Sequence, residues 1–239
     1  MIADRLQQEI LEARLETDHR LPTEVVLAER YAVSRTVIRE AARLLVHRGL
    51  VTVKPGRGMV VAEYDGKFIA EQFAFAMMAS NGSFDQLLEL RLAVEVQMAT
   101  LAAERQALEL IAAMQETITL GEAAMGDREA FLDADMSFHE LLAQASGNPF
   151  FDLVSKPINT FLRGHYQHRA SYPSDPRRTL EEHQEILRSV AQRDTLGARL
   201  AMEEHLRRLL RSRRSGAVTG GSATAEPTLA DELIHPKEP

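Results

Sequence analysis

The sequence predicts a mainly α fold in two parts: an N-terminal winged helix-turn-helix, then an antiparallel all-helical bundle of about seven helices. Three observations carry this. Residues 1–62 run helix, helix, tight turn, helix, hairpin in their apolar periodicity and breakers. Residues 67–214 keep a helical period with no convincing strand. The charge divides at the same place: the chain carries −7 overall, yet residues 1–62 hold ten Lys/Arg against eight Asp/Glu.

In the first part, Ile2, Leu6 and Ile10 recur every four residues and mark an amphipathic helix. Thr23 is an N-cap for a second helix reaching about Tyr31, and Ser34 for a third over Arg35 to about His47, which Gly49 stops. Val51–Val53 and Met59–Val61 read as short strands around the breaker-rich turn Lys54-Pro55-Gly56-Arg57-Gly58. Ala62–Gly66 is the expected linker. In the second part, helices are expected over 67–79, 84–104, 108–125, 128–145, 149–168, 179–192 and 196–213. Breaks at Asn81-Gly82, Gly126, Gly147-Asn148, Ser171–Pro176 and Asp194 keep the connections short, as in an antiparallel bundle. The expected domains are therefore 1–62 and 67–214, with a disordered tail over 215–239 rich in Gly, Ala, Ser, Thr and Pro.

Composition narrows the function classes. The chain has no cysteine, so disulfides and thiolate metal ligands are excluded. No apolar signal run opens it, and no stretch approaches the roughly 18 apolar residues of a membrane span. A cytoplasmic protein with no membrane partner is expected. A glycine-rich phosphate loop and an acyl-transfer nucleophile motif are both missing.

The basic residues concentrate in Ser34–Arg57, six against the single acid Glu40. On a wheel of the third helix, Val37, Ile38, Ala41, Leu44 and Leu45 gather on one side and Arg35, Thr36, Arg39 and Arg43 on the other. An apolar back with an arginine front suits a helix lying in a major groove, where arginine can donate two hydrogen bonds to guanine. Ser34 and Thr36 can reach phosphates or bases. The Gly56-Arg57-Gly58 tip lets backbone approach the sugar-phosphate chain or the minor groove closely. An exposed basic helix with no partner is the competing explanation of the same residues.

The run Leu21–Val61, LPTEVVLAERYAVSRTVIREAARLLVHRGLVTVKPGRGMVV, resembles the DNA-binding domain of the GntR family of bacterial regulators over about forty residues. The resemblance implies operator contacts from Arg35, Arg39 and Gly56; one recognition helix covers only a half-site, so a homodimer on double-stranded DNA is expected. One departure stands out. The family usually has arginine just after the glutamate that opens the second helix, and this chain has Val25.

In the helical part, Asp135 and His139 are four apart on one expected helix and share a face. His183 and His205 lie on two other expected helices. Three imidazoles and a carboxylate suit a divalent cation, zinc first and nickel or manganese next. Spacing alone does not show convergence of separate helices. Leu90-Arg91 with Glu95, Asp135–His139, Ser146–Pro149, Glu182-His183 and Met202 before His205 resemble the FCD-type effector domain of the FadR subfamily. That resemblance implies that Asp135, His139, His183 and His205 ligate one metal inside the bundle. It also implies a small organic acid as effector, since such regulators respond to acids such as lactate, gluconate or related sugar acids.

Arg91 sits on an apolar helix and needs an anionic partner, either Glu95 one turn later or the effector. Asn159, Arg163 and Tyr166 recur at three- and four-residue spacing and are expected to line the same cavity. The expected function is an operator-binding regulator controlled by an acid bound near the metal, and not an enzyme. The alternative is a metal-dependent hydrolase with a three-His, one-Asp site. Asp133 and Glu140 are available as its acids, although no spacing aims them at the metal residues.

Overall fold

The computed structural model describes residues 1–63, 67–80, 82–167 and 175–218. The chain divides into two compact units, Met1–Ile69 and Ala70–Pro239.

The first unit contains helices α1 (Ile2–Glu12), α2 (Glu24–Tyr31) and α3 (Arg35–His47) and strands β1 (Val51–Lys54) and β2 (Gly58–Val61). Both expected caps form: the Val26 amide donates to Thr23 Oγ1 and the Val37 amide to Ser34 Oγ, each at 3.4 Å. The strands pair antiparallel from Val51↔Val61 to Lys54↔Gly58. Gly56 and Gly58 take φ of +72° and +77°, conformations that a side chain would strain. Asp18–Leu21 adds to the free edge of β2, with His19 O accepting from the Val61 amide and the Leu21 amide donating to Met59 O, both 2.9 Å. The sequence shows no strand there, because four residues before Pro22 are too short for an alternation to register.

The apolar back of α3 is narrower than its wheel implies. Ile38, Ala41, Ala42 and Leu45 are buried, whereas Val37 and Leu44 are 42% and 36% exposed. α1 and the hairpin cover only the arc through 38, 41/42 and 45, so the two flanking residues instead line a shallow groove with Met1, Ile2 and Glu40.

The second unit contains α4 (Lys67–Ala79, whose first turn belongs to the first unit), α5 (Phe84–Arg105), α6 (Leu108–Ala123), α7 (Arg128–Ala145), α8 (Pro149–Gln167), α9 (Pro176–Ala191) and α10 (Thr195–Val218). Ser83 and Gln86 form a reciprocal capping box on α5. Asp127 caps α7 and Asp175 caps α9. α9 begins before the expected Thr179 because Pro176, with no amide to satisfy, occupies its first turn. α5 packs on α10, α7 and α9, while α6 bridges α7 and α9 and α8 lies on α7. Their shared core includes Met98, Met114, Ile118, Phe138, Leu142, Leu162, Ile186, Met202 and Leu206, all fully buried or nearly so. α10 continues to Val218, into the segment expected to be tail; residues 219–239 lie outside the described residues. Among the described residues no helix is long and apolar enough to cross a membrane.

Candidate nucleic-acid interface and candidate metal centre

α3 presents its arginines outward. Arg35, Thr36, Arg39 and Arg43 are all exposed, as are Gly56, Arg57 and Gly58 at the hairpin turn. Their partners differ. Arg39 Nε donates to Glu24 Oε2 at 2.8 Å, and Arg43 Nη1 to Glu40 Oε1 at 2.6 Å. Asp18 gathers the hairpin cations: it pairs with Lys54, and Arg57 Nη2 donates to its carbonyl at 3.1 Å. Arg48 turns away from this face to Asp4 and Gln7 of α1. Ser34 Oγ already accepts the α3 capping bond, and its hydroxyl hydrogen stays available to donate. Val25 is 38% exposed and adds an apolar spot beside Glu24.

In the second unit α7, α9 and α10 bring three histidines together. His139, His183 and His205 are each at most 1% exposed, and one nitrogen from each lies within 4.8 Å of the others. Phe138 stacks on His183, ring centroids 4.1 Å apart and nearly parallel, which fixes that imidazole's plane. Asp135, one turn before His139, joins through His183, its Oδ1 3.5 Å from His183 Nε2. A carboxylate lies against each of the other two rings. Glu95 Oε2 lies 2.7 Å from His139 Nδ1, and Glu182 Oε2 lies 2.8 Å from His205 Nδ1. A proton on His205 Nδ1 directed to the carboxylate leaves Nε2 as a bare lone pair.

These residues pass a chemical test for a cation. His205 Nε2 is buried with no hydrogen-bond partner among the described residues, and His183 Nε2, also buried, forms no hydrogen bond there and has only the Asp135 carboxylate beside it at 3.5 Å. Leaving such acceptors unmet is unfavourable by roughly 1–3 kcal/mol each. Three imidazoles beside a carboxylate, oriented by outer carboxylates, are a donor set that fits a divalent ion.

The expected effector residues are placed separately. Arg91 is fully buried and forms a two-point pair with Glu95, Nε to Oε1 at 2.6 Å and Nη2 to Oε2 at 3.3 Å. Asn159 is fully buried on α8. Its Nδ2 reaches Ser155 Oγ and Met136 O at 3.4 and 3.5 Å, and its Oδ1 has no partner among the described residues. Arg163 turns to α7, with Nε 2.8 Å from Asp133 Oδ1 and Nη2 3.9 Å from Glu140 Oε1. The Tyr166 side chain lies outside the described residues.

Comparison with known proteins places both units. The model for bacterial regulatory proteins of the gntR family matches residues 1–61, and that for the FCD domain matches residues 86–208. The chain belongs to the GntR family. LutR of Bacillus subtilis (strain 168), an HTH-type transcriptional regulator, is 29% identical over 202 residues, 82% of this chain and 92% of its own. The HTH-type transcriptional repressor NanR of Salmonella newport is 27% identical over 223 residues, 86% of this chain and 81% of its own. Among solved structures, Streptococcus agalactiae GntR has a TM-score of 0.64 at 28% identity, covering 88% of this chain and 98% of that one. This GntR-family chain is a transcriptional regulator.

Two residues of this GntR regulator carry more than spacing shows. Glu182 is recognisable in sequence only as the neighbour of His183. In the fold it points at His205, and Arg208 Nε braces it at 2.7 and 2.8 Å to its two oxygens, with Arg178 Nε at 3.2 Å. Glu95 serves Arg91 and His139 together. Burial alone would raise both carboxyls. His205 with Arg208 for Glu182, and Arg91 with His139 for Glu95, outweigh burial and hold them below the usual range. For His183 burial is the largest effect and like charge on its neighbours adds to it, holding the ring well below 6.5. His205 is lowered by burial despite Glu182.

A pH dependence follows for the metal-free chain. Below about 6.5 the unfolded chain takes up protons on His183 and His205 more readily than the folded one, so stability is full above that value and falls as pH drops. Below 4.5 the depressed Glu95 and Glu182 extend the loss in the same direction. Thermal melts after chelator treatment should show a lower melting temperature at pH 5.5 than at 7.5. A flat profile would contradict neutral buried imidazoles.

Proposed function

We propose that this regulator binds a two-fold symmetric operator as a homodimer, and that a small organic acid bound near a divalent metal in the helical unit controls its affinity. The convergence of His139, His183 and His205, with His183 Nε2 and His205 Nε2 buried and making no hydrogen bond among the described residues, is the observation that carries the effector half. Asp135, His139, His183 and His205 would hold the ion, which when bound supplies a positive centre for a carboxylate. Arg91, Asn159 and Arg163 are proposed for the acid. The unpartnered Asn159 Oδ1 supports the assignment, and the closed Arg91–Glu95 pair makes Arg91 the most constrained of the three. Asp133 and Glu140, the acids a hydrolase would recruit, face Arg163, which favours regulation over hydrolysis.

On the DNA side Ser34, Arg35, Thr36, Arg39 and Arg43 of the α3 region face the major groove, and Gly56, Arg57 and Gly58 face the backbone. Two copies would stand about one helical turn apart, roughly 34–36 Å. Arg35→Ala and Arg39→Ala are each expected to weaken operator binding by about 1–3 kcal/mol. The test is a titration of operator DNA at fixed salt, with and without chelator and across a panel of organic acids. Wild-type affinity in both variants would remove the DNA-facing assignment. Affinity indifferent to chelator and to every acid would remove metal-linked control.

A further inference from the structure

Arg39 and Arg35 stand one turn apart on the exposed face of α3 and are held very differently. Among the described residues Arg35 has no ion pair or hydrogen bond. Arg39 donates through Nε alone, to Glu24 Oε2 at 2.8 Å, and its two terminal nitrogens have no partner among the described residues. A guanidinium is planar, so tying Nε to a carboxylate on the neighbouring helix fixes the plane and the direction of the Nη1–Nη2 edge. That edge is the one that makes two parallel hydrogen bonds to O6 and N7 of guanine. Glu24 is also well set to hold it. It is the first residue of α2, just after the Thr23 cap, so its backbone is fixed by the capped first turn.

We propose that Glu24 is a positioning residue for sequence discrimination: it holds Arg39 with its bidentate edge turned outward, before DNA arrives. The inference rests on the DNA-facing assignment of α3. Both side chains are more than a third exposed, so the pair adds little to stability and its consequence is geometric. Glu24 also places a negative charge beside the phosphate backbone. Its removal therefore has two separable effects: weaker discrimination, and stronger binding to any duplex.

The experiment uses the full chain and duplexes enriched from a random library by the wild-type protein, against a scrambled duplex at the same salt. Glu24→Ala is expected to bind the scrambled duplex more tightly while the ratio of enriched to scrambled affinity falls about five- to tenfold. Glu24→Gln, whose amide oxygen can still accept from Arg39 Nε, is expected to keep most of the ratio. In an Arg39→Ala background Glu24→Ala should lower the ratio no further, and thermal melts should stay close to wild type throughout. Equal tightening on both duplexes with an unchanged ratio overturns the proposal, as does an undiminished effect of Glu24→Ala without Arg39. If Arg39→Ala itself leaves the ratio unchanged, the base-reading assignment of Arg39 fails and the positioning role falls with it. If Arg39→Ala lowers the ratio and Glu24→Ala does not, only the positioning role fails.

Discussion

Replacing Glu95 with alanine is expected to destabilise the helical unit by roughly 3–5 kcal/mol, the effect of breaking a buried ion pair by removing its carboxylate. Arg91 is fully buried and Glu95 is 2% exposed, so water cannot take over the guanidinium once the carboxylate is gone. In a chain of this size that corresponds to about a 10–15 °C fall in melting temperature. His139 loses a neighbour at 2.7 Å in the same step. The double variant Arg91→Met/Glu95→Leu removes both charges and fills similar volume, so it should recover much of the loss. Calorimetric melts of the three proteins decide the matter. A Glu95→Ala protein within 1 kcal/mol of wild type, an order-of-magnitude bound for exposed pairs, would mean that Arg91 is not confined as described.

The second large effect concerns the histidines. Wild-type protein is expected to bind about one divalent ion per chain and to melt higher with it, by roughly 2.7 kcal/mol of added stability at a hundredfold excess over the dissociation constant. His183→Ala should abolish that shift while the winged unit stays folded, since His183 belongs to a different compact unit. Glu182→Gln keeps every proposed ligand but weakens the grip on His205 Nδ1, and should reduce metal affinity roughly 10- to 100-fold. Elemental analysis and melts with added zinc, nickel or manganese provide the measurement. A His183→Ala protein that binds as much metal as wild type, with the same thermal shift, would remove the site.

Much of the architecture is legible without coordinates because it is local. Thr23 and Ser34 announce helix starts through short-range bonds to amides three residues on, and Gly56 and Gly58 announce a turn needing positive φ. The seven helical segments after residue 66 follow from an apolar period and a few breakers. Where burial departs from the apolar period, the cause is tertiary. Val37 and Leu44 satisfy the wheel but find no element over them, while Ala42 does. Asp18–Leu21 becomes part of the wing only because β2 offers an open edge.

The candidate site divides along the same line. The sequence by itself determined the arginine stripe Arg35, Arg39 and Arg43 and the i, i+4 pair Asp135 and His139, since one helix sets both spacings. It could supply His183 and His205 only as candidates, because their meeting depends on how α9 and α10 pack against α7. Tertiary structure alone decided which carboxylate braces which ring, and that Arg91 closes on Glu95 while Arg163 turns to Asp133. It likewise decided that Glu24, fifteen residues away in sequence, ties Arg39. The physical reason is reach. Backbone periodicity orders side chains along one helix, but a charge inside a protein takes as partner whatever group the packing of separate helices brings within about 3 Å.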